Sequence, residues 1–464
     1  MNTRVLRTEL KRSVAPWAGV VVLGGSLAFL CLIDGMWWRG AAAWTAQWTS
    51  MALTTRCMLA FMWPLAAGFG AVHGLRDSRS RMTELLTTTP RPPWHRAALP
   101  VGATAITLAS GFGLLVLVGA VQVALGPATY TPPSWPVISL VAVLALVAGA
   151  VFGMGVARAL PSVFTPPLLV VLFLAATVFL RLFTDGALPS GHLPNRLCLL
   201  SPVTEMPRQM LLTLSGAVDF GQTLWLLGLL ATGFALLIAA TRRARLLAVA
   251  PVLAGAALAL LILPAAARDT YVVDKAAATL VCDGPVCVTR AHRSHLPELA
   301  PRGREALRVL HDALGDRAPV SVREETTLRA IAGERELSGD VVLIDFDDPL
   351  LTGAAGPELT RRLVAQGLAP NCRPRTVWEG GGLAGVPVQS IVASWALGDH
   401  ELRPLREPEA DEYARRAWAD AEAAWEKLTA LPPAEQRSRI AQVHGAALSC
   451  ADTQLAVLAG EASR

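Results

Sequence analysis

The chain has 464 residues, of which 53% are hydrophobic and only 17% charged, and its formal net charge is +5. A soluble globular protein carries nearer a quarter charged residues, so a water-soluble fold throughout is excluded. Arginine supplies almost all the positive charge, lysine occurring only as Lys11, Lys275 and Lys427, and no basic tract interleaves with aromatics, so nucleic acid is not an expected partner.

The apolar excess is local. Residues 1–266 are nearly all apolar with short charged punctuation, and residues 267–464 read like an ordinary globular domain. A helix needs about 20 mostly apolar residues to cross the hydrocarbon core. Seven stretches qualify, at 14–34, 51–73, 101–125, 136–157, 166–183, 222–241 and 246–266. The first is long and no small-residue cleavage site follows it, so it reads as a span rather than a cleaved signal peptide.

With an inside N-terminus, the inside connections hold thirteen basic residues: Arg4, Arg7, Lys11, Arg12, Arg76, Arg79, Arg81, Arg91, Arg96, Arg158, Arg242, Arg243 and Arg245. The outside connections hold four, Arg39, Arg181, Arg196 and Arg208. Positive charge concentrates on the cytoplasmic side, so this orientation is expected, and an odd number of spans then puts the C-terminal domain outside the cytoplasm. Trp37, Trp38, Trp44, Trp48 and Trp135 fall at expected outer ends, where indoles favour the interface.

Charge inside a span is expensive and often functional; Arg56 and Arg181 are the candidates, and snorkelling to the interface is the plainer reading of both. No Asp, Glu or Lys is expected deep in a span, which lowers the weight of an ion-coupled transporter. Gly149-x-x-x-Gly153 predicts close helix packing. The long outside segment from Thr184 to Gly221 is expected to form a re-entrant or surface helix around Met206 to Leu214.

The connection between the second and third spans is the most informative segment. Arg76 to Thr88 forms an amphipathic helix on paper, with Met82, Leu85 and Leu86 as its apolar patch, and Pro90, Pro92 and Pro93 end it. The run Arg81-Met-Thr-Glu84-Leu85-Leu86, followed by Thr89-Pro90 and Arg96, resembles the intracellular helix of ABC-2 type exporter permeases. In that family this helix contacts a nucleotide-binding subunit. The resemblance implies that Arg76, Arg81, Glu84, Leu85, Leu86, Pro90 and Arg96 couple the chain to an ATPase subunit supplied in trans, in a dimer of permease subunits within the lipid bilayer. None of the three lysines follows a glycine, so the chain lacks a Walker A motif of its own. A seventh span and a large C-terminal domain depart from the family's usual six-span pattern. An ordinary basic loop that only fixes topology is the plainer reading of the same residues.

The C-terminal domain reads as α+β. Strands are expected within 270–290, at Val320 to Arg323 and at Val341 to Phe346; helices at 297–315, Glu358 to Gln366, 408–430 and 433–459; Val386 to Leu397 is apolar and of open type. Four of the seven cysteines lie here. Cys282 and Cys287 flank a turn, Asp283-Gly284-Pro285-Val286, that a disulfide would close, which leaves Cys372 to pair with Cys450. Zinc held by Cys282, Cys287, His292 and His295 is the alternative, although the two histidines are too close in sequence for a finger. Asp345, Asp347 and Asp348 form an acidic strand end, and Gly380, Gly382 and Gly385 match a dinucleotide pattern without a clear strand and helix around it. No H-E-x-x-H or G-x-S-x-G occurs. The expectation is therefore a non-enzymatic, cofactor-free membrane protein: an α-helical polytopic domain of about seven spans over 1–266 and an extracytoplasmic α+β domain over 267–464. A permease subunit is the first functional reading. A non-transport membrane protein whose outer domain binds or senses a ligand is the second.

Overall fold

The computed structural model describes residues 15–33, 35–38, 43–76, 92–126, 128–184, 193–206, 209–327, 336–372, 385–407 and 412–461. The apolar half is built from α1 (Ala15–Leu32), α2 (Trp48–Cys57), α3 (Leu59–Gly74), α4 (Pro93–Leu125), α5 (Ser134–Ala159), α6 (Thr165–Thr184), α7 (Gly216–Ile238), α8 (Arg242–Leu247) and α9 (Ala250–Ile262). Among the described residues, four helical stretches are long and apolar enough to cross a membrane: α4, α5, α7 and the α8–α9 run. The pair α2 and α3 makes a fifth, bent by 48° at Met58. Pro16–Leu32 and Thr165–Leu180 are shorter apolar helices. The chain is thus a helical polytopic membrane protein with a small sheet region.

Small residues let these helices touch. A Cβ on Gly70 of α3 would lie 1.9 Å from the Ala150 carbonyl oxygen of α5, and one on Gly153 of α5 would lie 2.0 Å from that of Ala67. Backbones this close need a glycine on one side of each contact, here facing an alanine, so the Gly149-x-x-x-Gly153 pattern does mark a helix contact. The third expected span differs in its start. The Pro-rich end of the preceding connection runs straight into α4 at Pro93, because proline at a first helical position loses no hydrogen bond.

The other half packs a mixed sheet, β3 (Leu280–Asp283), β4 (Val286–Thr289), β5 (Ser321–Glu324) and β6 (Val341–Ile344), in that spatial order. The first pair is antiparallel and the next two are parallel. Helix α10 (Leu296–Leu314) makes the β4–β5 crossover. Leu296, Leu299, Gly303, Ala306, Leu310 and Leu314 recur at helical spacing and are buried. Each buried leucine contributes roughly 1.5–3 kcal/mol. Helices α11 (Pro357–Leu368), α12 (Val386–Leu397), α13 (Glu412–Thr429) and α14 (Pro433–Leu448) complete the core.

Two expectations are corrected here. The helix expected over 433–459 is broken: α14 ends at Leu448, Cys450 adopts a left-handed φ of 55°, and α15 (Gln454–Ala459) follows. The segment around Met206 to Leu214 is not a described helix; Leu212–Leu214 forms β1, paired antiparallel with β2 (Tyr271–Val273).

Cys282 and Cys287 face one another across the β3–β4 hairpin and are disulfide-bonded, and Cys372 is bonded to Cys450. The second bridge fastens the chain after α11 to the break after α14.

The two halves meet along one end of the helices. Thr129 donates to the Ala291 carbonyl (3.4 Å) and Tyr130 to Asp274 (3.4 Å). Asn195 donates to Thr270 Oγ1 (3.2 Å), and to the carbonyls of Pro264 (3.0 Å) and Ala266 (3.3 Å) just before the boundary. The connections after α1, α4 and α6 all lie here. At the opposite end Arg245 donates to the Ala159 carbonyl (3.2 Å), joining α8 to the end of α5.

Candidate functional site

Helix α2 is polar for its place in the bundle. Thr49, Ser50, Thr54, Thr55 and Arg56 are all buried. Asp219 and Gln222 stand one turn apart at the start of α7, so they share a face. The Arg56 guanidinium meets that face. Its Nη1 donates to Asp219 Oδ1 (2.7 Å) and the Ile138 carbonyl (3.4 Å), its Nε to the Pro202 carbonyl (3.0 Å), and its Nη2 to Gln222 Oε1. The Gln222 amide in turn donates to the Leu199 and Ser201 carbonyls, each at 2.8 Å. Arg56 therefore does not snorkel: it is 0% exposed, and its positive charge is met by a carboxylate inside the bundle. Planar forked donors suit such a site, which a lysine could not fill. The cluster ties α2, α5, α7 and the 199–204 connection into one unit. The sequence reading missed Asp219 and Gln222 because it began the sixth span at 222; the Asp-x-x-Gln spacing before the apolar run was the available signal.

A second cluster sits where the halves meet. His292 Nδ1–H donates to Glu324 Oε1 (2.6 Å), and the other Glu324 oxygen accepts from the Thr289 amide (2.7 Å). His292 Nε2 faces the membrane half, 3.4 Å from Met210 Sδ and 3.5 Å from Gln47 Nε2. Phe346 packs over both His292 and His295. Beside it lies a cavity of about 20 Å³ lined by Met210, His292, Glu324, Asp345 and Asp347, room for about one water. The cysteines that zinc would need are consumed by their disulfide, and His292 is committed to Glu324. The acidic strand end also has structural partners: Asp345 accepts from the Asp347 amide (2.8 Å), Asp347 from the Met210 amide (3.3 Å), and Asp348 caps a helical turn through the Leu350 amide (2.9 Å). Glycines 380 and 382 lie outside the described residues.

Of the coupling residues inferred from sequence, Arg76 is exposed just past α3, and Arg96 is half-buried in the first turn of α4. His73 and Thr104 join α3 to α4 nearby, at 3.3 Å. Arg81, Glu84, Leu85, Leu86, Thr89 and Pro90 lie outside the described residues.

Histidines give the soluble half a pH dependence. Burial holds His295 and His444 below the usual histidine range, joined at His295 by the charge of His292. His444 Nδ1–H donates to the Leu368 carbonyl (3.1 Å). The unfolded chain protonates these rings near pH ~6.5, above their folded values. Stability is therefore full above that pH and falls as pH drops through the window below it. The unfolding temperature of the purified protein is expected to be lower at pH 5 than at pH 8, and His295→Gln/His444→Gln to reduce that difference. An equal difference in the variant would remove the histidines as its cause.

Comparison with known proteins finds no matching family model, no similar curated protein and no similar solved structure.

Proposed function

We propose that the chain is the membrane permease subunit of an ABC-type exporter, working as a dimer with an ATPase subunit from another chain. Its C-terminal half is an extracytoplasmic domain. The observation that carries the reading is the sequence of segment 76–96, whose residues resemble the ATPase-facing helix of ABC-2 permeases and whose last residues, from Pro93, open α4.

In this reading Pro16–Leu32 and Thr165–Leu180 also cross, which with the four long helices and the bent pair makes seven crossings, while the third short apolar helix, α12, stays in the C-terminal half. The connections that touch the soluble half then alternate with those that carry Arg76, Arg96, Arg158 and Arg242 to Arg245. Two disulfides in the soluble half agree with an oxidising compartment. A short interfacial helix gives ATP hydrolysis in a partner a rigid element to push against.

The test is co-purification with a P-loop ATPase encoded beside the permease gene. Glu84→Arg is expected to abolish it while leaving the yield of folded permease unchanged. A complex that survives Glu84→Arg refutes docking at this segment. A C-terminal reporter active only inside the cell refutes the orientation.

A further inference from the structure

We propose that the soluble half binds a small zwitterion, an amino acid or short peptide with a free amino group and a free carboxylate, in the cleft between α10, the start of α11 and the end of α12. The cleft has a volume of about 440 Å³, within the ~300–1,000 Å³ typical of small-molecule sites. It is lined by Glu305, Glu358, Thr360, Arg361 and Arg403, together with the apolar residues Ala355, Pro357 and Leu397. Two loops with obligatory turns shape its mouth: Gly356 precedes α11 with φ of 56°, and Gly398 ends α12 with φ of 72°.

The charges in the cleft are unequally used. Arg361, 5% exposed, is spent on Asp399 (2.6 Å) and Ser394 (3.4 Å). Glu358 is held by Arg362 (3.0 Å). Thr360, itself buried, donates to Glu305 Oε2 (3.0 Å), which Arg302 also reaches (3.1 Å). Two groups keep capacity. The Arg403 guanidinium is exposed and has no hydrogen-bond or ion-pair partner among the described residues, although its backbone is fixed by Ser394 (3.0 Å). Glu305 presents its second carboxylate oxygen, Oε1, without a described partner.

A guanidinium with five forked donors selects a carboxylate. A carboxylate oxygen selects an ammonium donor, and the apolar lining at Ala355, Pro357 and Leu397 suits a short aliphatic side chain. A ligand with only one of these charges leaves the other wall unmatched. The site belongs to the soluble half alone, so it does not rest on an ATPase subunit docking at the other end of the molecule.

The test uses the full-length protein in lipid nanodiscs, with L-alanine, L-alanyl-L-alanine and the N-acetylated and C-amidated dipeptides as calorimetric probes. The unblocked probes are expected to bind, with the ratio of alanine to dipeptide telling a free amino acid from a peptide end. Each blocked form, and Arg403→Gln, should lose at least about tenfold in affinity, with the unfolding temperature unchanged because Arg403 is exposed. Glu84→Arg should leave binding intact. Blocked and unblocked probes binding equally, neither alanine nor the dipeptide binding at millimolar concentration, or full binding by Arg403→Gln would each overturn the proposal.

Discussion

Replacing Arg56 with methionine is expected to destabilise the protein by about 3–5 kcal/mol, the cost of breaking a buried ion pair from one side. The side chain is fully enclosed, and four acceptors from three segments converge on it: Asp219, Gln222, and the carbonyls of Ile138 and Pro202. Methionine fills much of the volume but leaves the Asp219 carboxylate without a counter-charge in a medium that cannot solvate it. The double variant Arg56→Met/Asp219→Asn should recover part of the loss, since the remaining groups are neutral. Arg56→Lys should fall between wild type and Arg56→Met, because an ammonium can meet Asp219 but cannot also reach Pro202 and Gln222. Unfolding in mixed micelles, read by intrinsic tryptophan fluorescence, measures the wild type, Arg56→Met, Asp219→Asn, the double variant and Arg56→Lys. Double-variant losses equal to the sum of the singles would show that Arg56 and Asp219 do not act as a pair.

Arg56 shows what sequence could and could not supply. It lies near the end of an apolar run, where hydropathy reads it as interfacial. Only the fold that brings its side chain to Asp219 and Gln222 reveals its buried partners, and these lie in a polar stretch before the apolar run of α7 that a window average discards. The apolar helices of the first half were legible because hydrocarbon imposes one requirement, a long apolar run, wherever a chain crosses. Their ends were less so: proline at the start of α4 reads as a stop, although a first helical turn tolerates it.

In the soluble half, the local signals served well. The helical spacing of Leu296 to Leu314 and the turn between Cys282 and Cys287 both appear where the pattern placed them. The Cys372–Cys450 bridge followed from the remaining cysteines rather than from any local signal. The His292–Glu324 contact joins residues 32 apart across β4 and β5, so neither neighbourhood advertises it. The same holds for the cleft around Arg403, whose walls come from three helices and a loop.

Gly153→Leu is expected to prevent assembly of the helical half. A Cβ alone at this position would stand 2.0 Å from the Ala67 carbonyl oxygen and 3.1 Å from the Ala71 amide nitrogen. The obstacle is backbone, which cannot rotate away as a side chain can, so α3 and α5 would have to separate by about an ångström or more. That separation would also loosen the opposing contact, where Gly70 abuts Ala150, and the packing of Trp63 beside Gly149. Lipid offers no hydrophobic force to press the helices back together, because helix association there relies on close van der Waals fit. Overpacking in a tight core costs roughly 1–3 kcal/mol for modest insertions, and a leucine against backbone exceeds that range. Even Gly153→Ala should lower the unfolding temperature clearly. Gly113→Ala on α4 is the matched control: nothing lies within 4 Å of its added Cβ, so helix propensity alone should make it neutral or slightly stabilising. Size-exclusion chromatography in detergent and thermal unfolding read the three variants. A Gly153→Leu protein that remains monodisperse with an unchanged unfolding temperature would mean that α3 and α5 do not touch along this face.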